Sequence, residues 1–372
     1  METLSAIDPV PSDADITVLR GEIDAIDEDI LRLVNRRLEI ALSIGAAKAR
    51  NQGQVLDRSR ETEILKRLSE LNPGPITDAG LQAIFTRIMA ASRELQTAQR
   101  VSYLGPEATF THIATLKHFG GGISFFPQPS IRDVFEEVEK GACHYGVVPV
   151  ENSIEGAVNH TLDLFFESDI RICAEVYQPI SHDLLAVGGS LKEIGTVFSH
   201  PQAFAQCRRW LRKYLPDASL VECNSTAEAA RKAADGSGRA AIASSEAAHI
   251  YDLQVVASRI EDTARNTTRF LVIGHDEVEP TGDDKTSLMF VTSHVPGALY
   301  KALKPLADAD VNMVKLESRP TKHENWSYFF FVDIEGHVSE PPIAETISRM
   351  SELCLYLKSL GSYPRARNGG ER

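Results

Sequence analysis

The strongest constraint on this chain is an apolar stripe near its start. Leu19, Ile23, Ile26, Ile30, Val34, Ala41 and Ile44 recur three or four residues apart, the repeat of one helix face. Extended from Asp15 to Arg50, that helix is roughly 50 Å long at about 1.5 Å per residue. Shorter helices are predicted over Asp57–Leu71 and Asp78–Gln99, parted by the breaker Asn72-Pro73-Gly74-Pro75. Three helices of such unequal length make a bundle that needs a partner to cover the stripe.

The same spacing carries charges. Past Val34 it lands on Arg37 and then, beyond Ile44, on Lys48, which share one helix face to within about 20°. The third-helix stripe Leu81, Phe85, Ile88 runs on to Ser92 and Gln96, and Asp57 and Glu61 lie one turn apart. Buried unpaired charge costs several kcal/mol, so something must compensate it. Any one of these residues alone reads as snorkelling at the bundle edge. Together they point to a pocket for a polar ligand. Arg20 lies roughly 100° around the helix from Arg37, so a second subunit is needed to bring it to the same pocket.

These residues stand in L-R-x-x-I-x-x-I-D, R-L-E-I-A-x-x-I-G-x-x-K and D-R-x-R-E. From about Ala14 to Arg100 the chain resembles the all-helical chorismate mutases of the bacterial bifunctional type. The resemblance implies an intertwined dimer with Arg20, Arg37, Lys48, Asp57, Glu61, Ser92 and Gln96 in the site, Arg20 crossing to the partner. Arg20 and Arg37 would clamp the two carboxylates of chorismate, and Lys48 and Gln96 would donate to its ether oxygen. Glu61 and Asp57 would position the hydroxyl and the local network. The rearrangement to prephenate needs no nucleophile and no proton transfer, only a held conformer and stabilised charge.

From Val101 the pattern changes. V-S-Y-L reads as a strand and G-P-E-A-T-F-T-H opens a helix; a hundred residues on, T-V-F leads into S-H-P-Q-A-F-A-Q in the same way. Other strands also end in polar residues: Glu151-Asn152-Ser153, Asn224-Ser225-Thr226 and Ser244-Ser245. The alternation implies one or two parallel α/β sheets. Ligands of such sheets gather beyond the carboxyl ends of the strands, where helix N-termini favour anions. Ser244 and Ser245 read as simple helix caps; the density of the others favours a cleft.

Y-L-G-P-E-A-T-F, P-V-E-N-S-I-E-G, S-H-P-Q-A and T-R-F follow in that order between about Arg100 and His275, and together resemble prephenate dehydratase. The resemblance implies two α/β subdomains, like those of periplasmic binding proteins, with the site between them. Thr268 falls on the catalytic threonine, and Glu151, Asn152, Ser153, Gln202, Ser225 and Thr226 fall on other cleft positions. Prephenate loses CO2 and its ring hydroxyl together, so a donor to the departing oxygen is required. Thr268 is expected in that role ahead of Glu151, which would act as a protonated acid only if desolvation raised its pKa. Arg269 is expected to neutralise a substrate carboxylate, with Phe270 anchoring the strand.

The last ninety residues read strand, helix, strand, strand, helix over Ala344–Leu360, then a short strand at Ser362–Tyr363. That is the βαββαβ order of a ferredoxin-like α+β fold. Gly297-Ala298-Leu299 and Glu317-Ser318-Arg319-Pro320 give this part a resemblance to the ACT regulatory domain. The resemblance implies phenylalanine as an allosteric ligand, held by Gly297, Ala298, Leu299, Glu317, Ser318 and Arg319 where two subunits' domains meet.

The expected chain is therefore multidomain: an all-α unit over 14–100, a two-subdomain α/β unit over 101–280 and an α+β unit over 284–364. A net charge of −13 without a basic stripe argues against nucleic acid as a partner. The longest apolar runs fall far short of a membrane span, and the acidic N-terminus lacks a signal pattern, so a cytoplasmic protein is expected. Five scattered cysteines, none in C-x-x-C spacing, argue against disulfides and zinc. No cofactor or metal is expected. An arogenate-using dehydratase and a non-catalytic amino-acid sensor stay open as alternatives, and so does the choice between a dimer and a larger homo-oligomer.

Overall fold

The computed structural model describes residues 13–50, 58–96, 99–120, 123–188, 190–320 and 328–366, with backbone alone at 13–17, 42, 45–50, 58–59 and 93–96. The chain divides into two compact units, 1–98 and 99–372.

The first unit holds α1 (Asp13–Arg50), α2 (Arg58–Leu71) and α3 (Asp78–Gln96), close to the helices the periodicity predicts. Leu81, Met89 and Ala90 of α3 are buried. The N-terminal half of α1 is different: Leu19, Ile23, Ile26 and Ile30 remain 46%, 57%, 58% and 53% exposed. One chain does not cover its own stripe.

The second unit begins with a lobe built from β1 (Arg100–Leu104), α4 (Phe110–Phe119), β2 (Ser124–Gln128), α5 (Ile131–Glu139), β3 (Tyr145–Asn152), β4 (Gly156–Ala157), α6 (Asn159–Glu167) and β5 (Arg171–Pro179). The chain then crosses into a second lobe of β6 (Asp183–Ala186), β7 (Thr196–Ser199), α7 (Pro201–Gln206), α8 (Arg208–Tyr214), β8 (Ser219–Glu222), α9 (Thr226–Ala233), β9 (Arg239–Ala243), α10 (Ser245–Ile250) and β10 (Gln254–Ala257). It returns to the first lobe as β11 (Thr267–Gly274). The sheets run β2-β1-β3-β11-β5, with β4 beside β3, and β10-β6-β9-β7-β8.

Neither sheet is purely parallel, which corrects the expectation from strand–helix alternation. β11 is antiparallel to both β3 and β5, and β6 is antiparallel to both β9 and β10. The reason is the double crossing. A strand that re-enters from the second lobe starts at the edge where β1 and β3 end. Thr268 is thereby paired with Asn152, the last residue of β3.

β12 (Asp284–Val291), α11 (Ala298–Asp308), β13 (Met313–Pro320), β14 (Tyr328–Glu335), α12 (Pro341–Leu353) and β15 (Tyr356–Pro364) complete the chain, with sheet order β13-β14-β12-β15. This is the expected ferredoxin-like order, with one boundary moved. α12 stops at Leu353, seven residues early, and β15 is nine residues long. The run Leu353–Leu357 fits either period locally, and pairing with β12 along all of β15 decides for strand.

One face of this sheet, with Leu288, Phe290, Val332 and Ile334, packs on its own helices. The other face, with Met289, Phe329, Phe331 and Tyr363, shares a core with Leu162, Phe165, Leu271 and Ile273 of the first lobe. The approach is closest at Gly361, with φ of 135°, where an added Cβ would stand 2.4 Å from the Ile172 carbonyl oxygen. Gly361→Ala is therefore expected to destabilise the second unit by about 1–3 kcal/mol, read as a lower thermal midpoint.

Candidate active sites

In the helical unit three of the expected residues meet. The Arg37 Nη1 donates to Ser92 Oγ at 2.5 Å, and Ser92, 6% exposed, donates its own proton to the Ile88 carbonyl at 3.0 Å. Partial burial lowers the Arg37 pKa, and the nearby Glu61 carboxylate opposes that shift. A cation part-buried beside a carboxylate and a hydroxyl is a seat for a carboxylate-bearing ligand. Arg20 lies 17 residues up α1, about 25 Å along the axis, and is exposed. It does not join this cluster within one chain. Asp57 and the side chains of Lys48 and Gln96 lie outside the described residues.

Between the two lobes of the second unit lies a cleft of about 350 Å³. Of the expected residues, Asn152, Gln202, Ser225, Thr226 and Thr268 line it; Glu151, Ser153 and Arg269 do not. Its described lining contains no Asp, Glu, Lys or Arg. Backbone supplies the positive end instead. α4 and α9 both begin at the cleft, capped by Thr109 Oγ1 on the His112 amide and by Ser225 Oγ on the Glu228 amide. Their first-turn N–H groups favour an anion.

The cleft floor is a chain of amides with one possible polarity. Asn152 Oδ1 accepts from the Ile154 and Glu155 amides at 3.0 and 3.2 Å. Its Nδ2 must then face Asn266 Oδ1 at 2.7 Å and Thr268 Oγ1 at 2.8 Å. Thr268, 8% exposed, is thus an acceptor toward Asn152, and its own proton is left for a group in the cleft.

Arg269 stands on the other side of β11 and does not fit the clamp role expected of it. Its Nε donates to Glu175 at 2.8 Å, its Nη1 to Asp333 at 2.5 Å and its Nη2 to the Tyr363 hydroxyl at 2.9 Å. Lys285 Nζ reaches the same Glu175 at 2.9 Å. Burial opposes the guanidinium charge, but Tyr363, Asp333 and Glu175 outweigh it and raise the Arg269 pKa. Strand alternation explains the outcome: neighbours on β11 face opposite ways, so one of Thr268 and Arg269 had to leave the cleft.

Glu151 is likewise turned to the C-terminal domain. It pairs with Lys315 of β13 at 2.6 Å, its side chain 39% exposed, which is not the desolvated setting its acid role required. Ser153 Oγ ties the end of β3 to the start of β11, accepting from the Thr267 amide at 3.0 Å. Ser244, read as a cap, makes no cap bond; its Oγ donates to the Ala108 carbonyl across the lobes.

Residues missed by sequence reasoning include His182, Gln206 and Asn266, all at the cleft. Asn266 carried a signal, since it lies two residues before Thr268 and so shares its face. His182 carried none, standing in an ordinary crossing between β5 and β6.

In the C-terminal domain Gly297, Ala298 and Leu299 border a hollow of about 430 Å³ together with Tyr328 and Phe330. Glu317, Ser318 and Arg319 lie on β13, an edge strand, and are not in that lining. Arg319 instead sits 3.6 Å from Asp163 of α6. Among the described residues no cluster of His, Cys, Asp and Glu is placed to hold a metal. No described helix is long and apolar enough to cross a membrane.

Fold and sites define a class: a helical unit with an internal cation, joined to a two-lobed α/β enzyme that carries a ferredoxin-like domain. Family models match along the same divisions, chorismate mutase type II at residues 19–97, prephenate dehydratase at 101–278 and the ACT domain at 286–352. A bifunctional chorismate mutase/prephenate dehydratase of Aquifex aeolicus is 45% identical over 352 residues, covering 94% of this chain and 97% of that one. The prephenate dehydratase of Arthrobacter aurescens, solved in complex with L-Phe, is 33% identical, with a TM-score of 0.66 over 72% of this chain and 90% of that one. A structure described as a novel type of quorum quenching acylase also has a TM-score of 0.66, at 30% identity, over 72% of this chain and 98% of that one. The fold alone thus leaves the chemistry to the site. The chain belongs to the bifunctional chorismate mutase/prephenate dehydratases.

Proposed function

We propose that the chain converts chorismate to prephenate in its helical unit and prephenate to phenylpyruvate in the cleft, with Thr268 protonating or hydrogen-bonding the departing ring hydroxyl. The observation that carries the second step is the Asn152 amide, which takes the Thr268 oxygen as its acceptor and leaves the hydroxyl proton for the substrate. Loss of that hydroxide and of CO2 aromatises the ring, so the protein needs to supply one donor and a held geometry. The N-termini of α4 and α9 are seats for the carboxylate that prephenate keeps. No lysine or arginine grips the departing one, which would hold back decarboxylation.

The uncharged lining also favours prephenate over arogenate. Arogenate carries an ammonium where prephenate has a keto group, and a desolvated ammonium calls for a carboxylate. None stands among the described cleft residues. A kcat/KM at least tenfold higher for prephenate than for arogenate is the expected result; the reverse order would overturn this reading.

In the helical unit Arg37 and Ser92 are the groups for a chorismate carboxylate, with Glu61 beside them. The exposed half-stripe of α1 supports a homodimer whose second helix covers Leu19–Ile30 and delivers Arg20. Phenylalanine is the ligand proposed for the C-terminal domain, since the Arthrobacter aurescens relative was solved with it. Added phenylalanine is expected to slow phenylpyruvate formation and to leave chorismate loss largely unchanged. Equal rates with and without it would remove the regulatory assignment.

A further inference from the structure

The amide chain on the cleft floor does not stop at Asn266. Asn266 Nδ2 donates to Gln206 Oε1 at 3.1 Å, and the same oxygen lies 2.9 Å from His182 Nε2. The polarity fixed at Asn152 propagates outward. Asn266 gives its oxygen to Asn152, so its nitrogen faces Gln206, and Gln206 must present oxygen. A second partner of that oxygen has to be a donor, so the imidazole carries its proton on Nε2. Its Nδ1 is buried without a hydrogen-bond partner. The ring is 3% exposed and packs edge-on against Phe110, with centroids 5.7 Å apart.

We propose that His182 is a positioning residue for the dehydratase reaction, acting on Thr268 through Gln206, Asn266 and Asn152. Its N–H, together with the Glu155 carboxylate that accepts from Gln206 Nε2 at 3.4 Å, holds the rotamer in which Gln206 turns oxygen toward Asn266. Were Gln206 reversed, its Nε2 would meet the Asn266 Nδ2 as donor against donor. Reversing Asn266 in turn would set two NH2 groups against each other at the 2.7 Å now spanned by a hydrogen bond. Asn152 cannot relieve that contact by turning over, because the Ile154 and Glu155 amides hold its oxygen. Its nitrogen moves off Thr268 instead, and the hydroxyl loses its single orientation. Burial lowers the His182 pKa, against the Gln206 bond and the carboxylates of Glu261 and Asp183. Burial thus favours the neutral ring, with its proton on the Nε2 that faces Gln206 Oε1.

The inference rests on Thr268 as the donor, and kinetics of the full-length enzyme on prephenate test the two separately. His182→Phe keeps the ring and removes the N–H. It is expected to lower kcat on the order of tenfold, the scale of a small misplacement at a reacting centre, with KM changed less than about twofold. His182→Gln restores a donor toward Gln206 Oε1 and is expected to recover most of the loss. In a Thr268→Val background, His182→Phe should have less than about a twofold effect, because residues acting through one group do not add. Phenylalanine binding to each variant, by calorimetry, reports that the second unit is folded. Equal impairment of His182→Phe and His182→Gln, or a normal kcat for His182→Phe, would overturn the inference and leave Thr268 standing. A normal kcat for Thr268→Val would overturn the donor reading itself.

Discussion

Thr268→Val is expected to lower dehydratase turnover by about 10²–10⁴-fold, the range for removing a positioned proton donor. Valine has nearly the shape of threonine, so the buried strand β11 keeps its packing, and only the hydroxyl is lost. Asn152 Nδ2 then lacks its acceptor at 2.8 Å, a modest local cost beside the catalytic one. Thr268→Ser keeps the hydroxyl and should retain a large part of the rate. Chorismate loss by the same preparation is the internal control, since the helical unit is a separate body of the chain and its reaction needs no proton donor. Turnover within tenfold of the parent would move the donor role away from Thr268.

The second large effect concerns Arg269, and it is one of stability. Glu175, Asp333, Arg269 and Lys285 form a buried network of two negative and two positive side chains, each no more than 7% exposed. Burial of such a set is tolerable because it is neutral and hydrogen-bonded throughout. Arg269→Met leaves Asp333 with only the Ser287 hydroxyl at 2.5 Å. Removing one partner of a buried pair costs about 3–5 kcal/mol, which in a unit of this size lowers the thermal midpoint on the order of 10 °C. Asp333→Leu should cost a similar amount, and the double variant less than the sum. If Arg269 instead gripped substrate, Arg269→Met would raise KM and leave the midpoint in place. Calorimetry and steady-state kinetics on one sample separate the two outcomes.

The network also shows why the local sequence around Arg269 suggests a different role. In the sequence it adjoins Thr268 and precedes an apolar run, and cationic residues beside a catalytic group invite a role in binding. Its carboxylate partners lie 94 and 64 residues away in the chain, on β5 and β14, and no local pattern connects them. The same limit applies to Glu151, whose partner Lys315 comes from the C-terminal sheet. His182 belongs to the cleft only because the chain crosses between lobes beside α7.

What the sequence determined was everything with a short repeat. The helix periods located α1, α2 and α3, alternation and polar strand ends announced one or two α/β sheets with a cleft at their ends, and the βαββαβ order defined the last domain. Asn152, Ser225 and Thr226 were legible as polar residues where apolar strands end, and Gln202 and Thr268 through the resemblance of their motifs to prephenate dehydratase. The tertiary structure decided direction and facing. The double crossing made β11 antiparallel, brought Thr268 level with Asn152, and sent Arg269 through the sheet to the regulatory domain. Each of these depends on which strand lies alongside, and strand pairing is settled by burial and hydrogen bonding between segments far apart in the chain. The letters from 266 to 270 name the residues; only their neighbours say which of them meets the substrate.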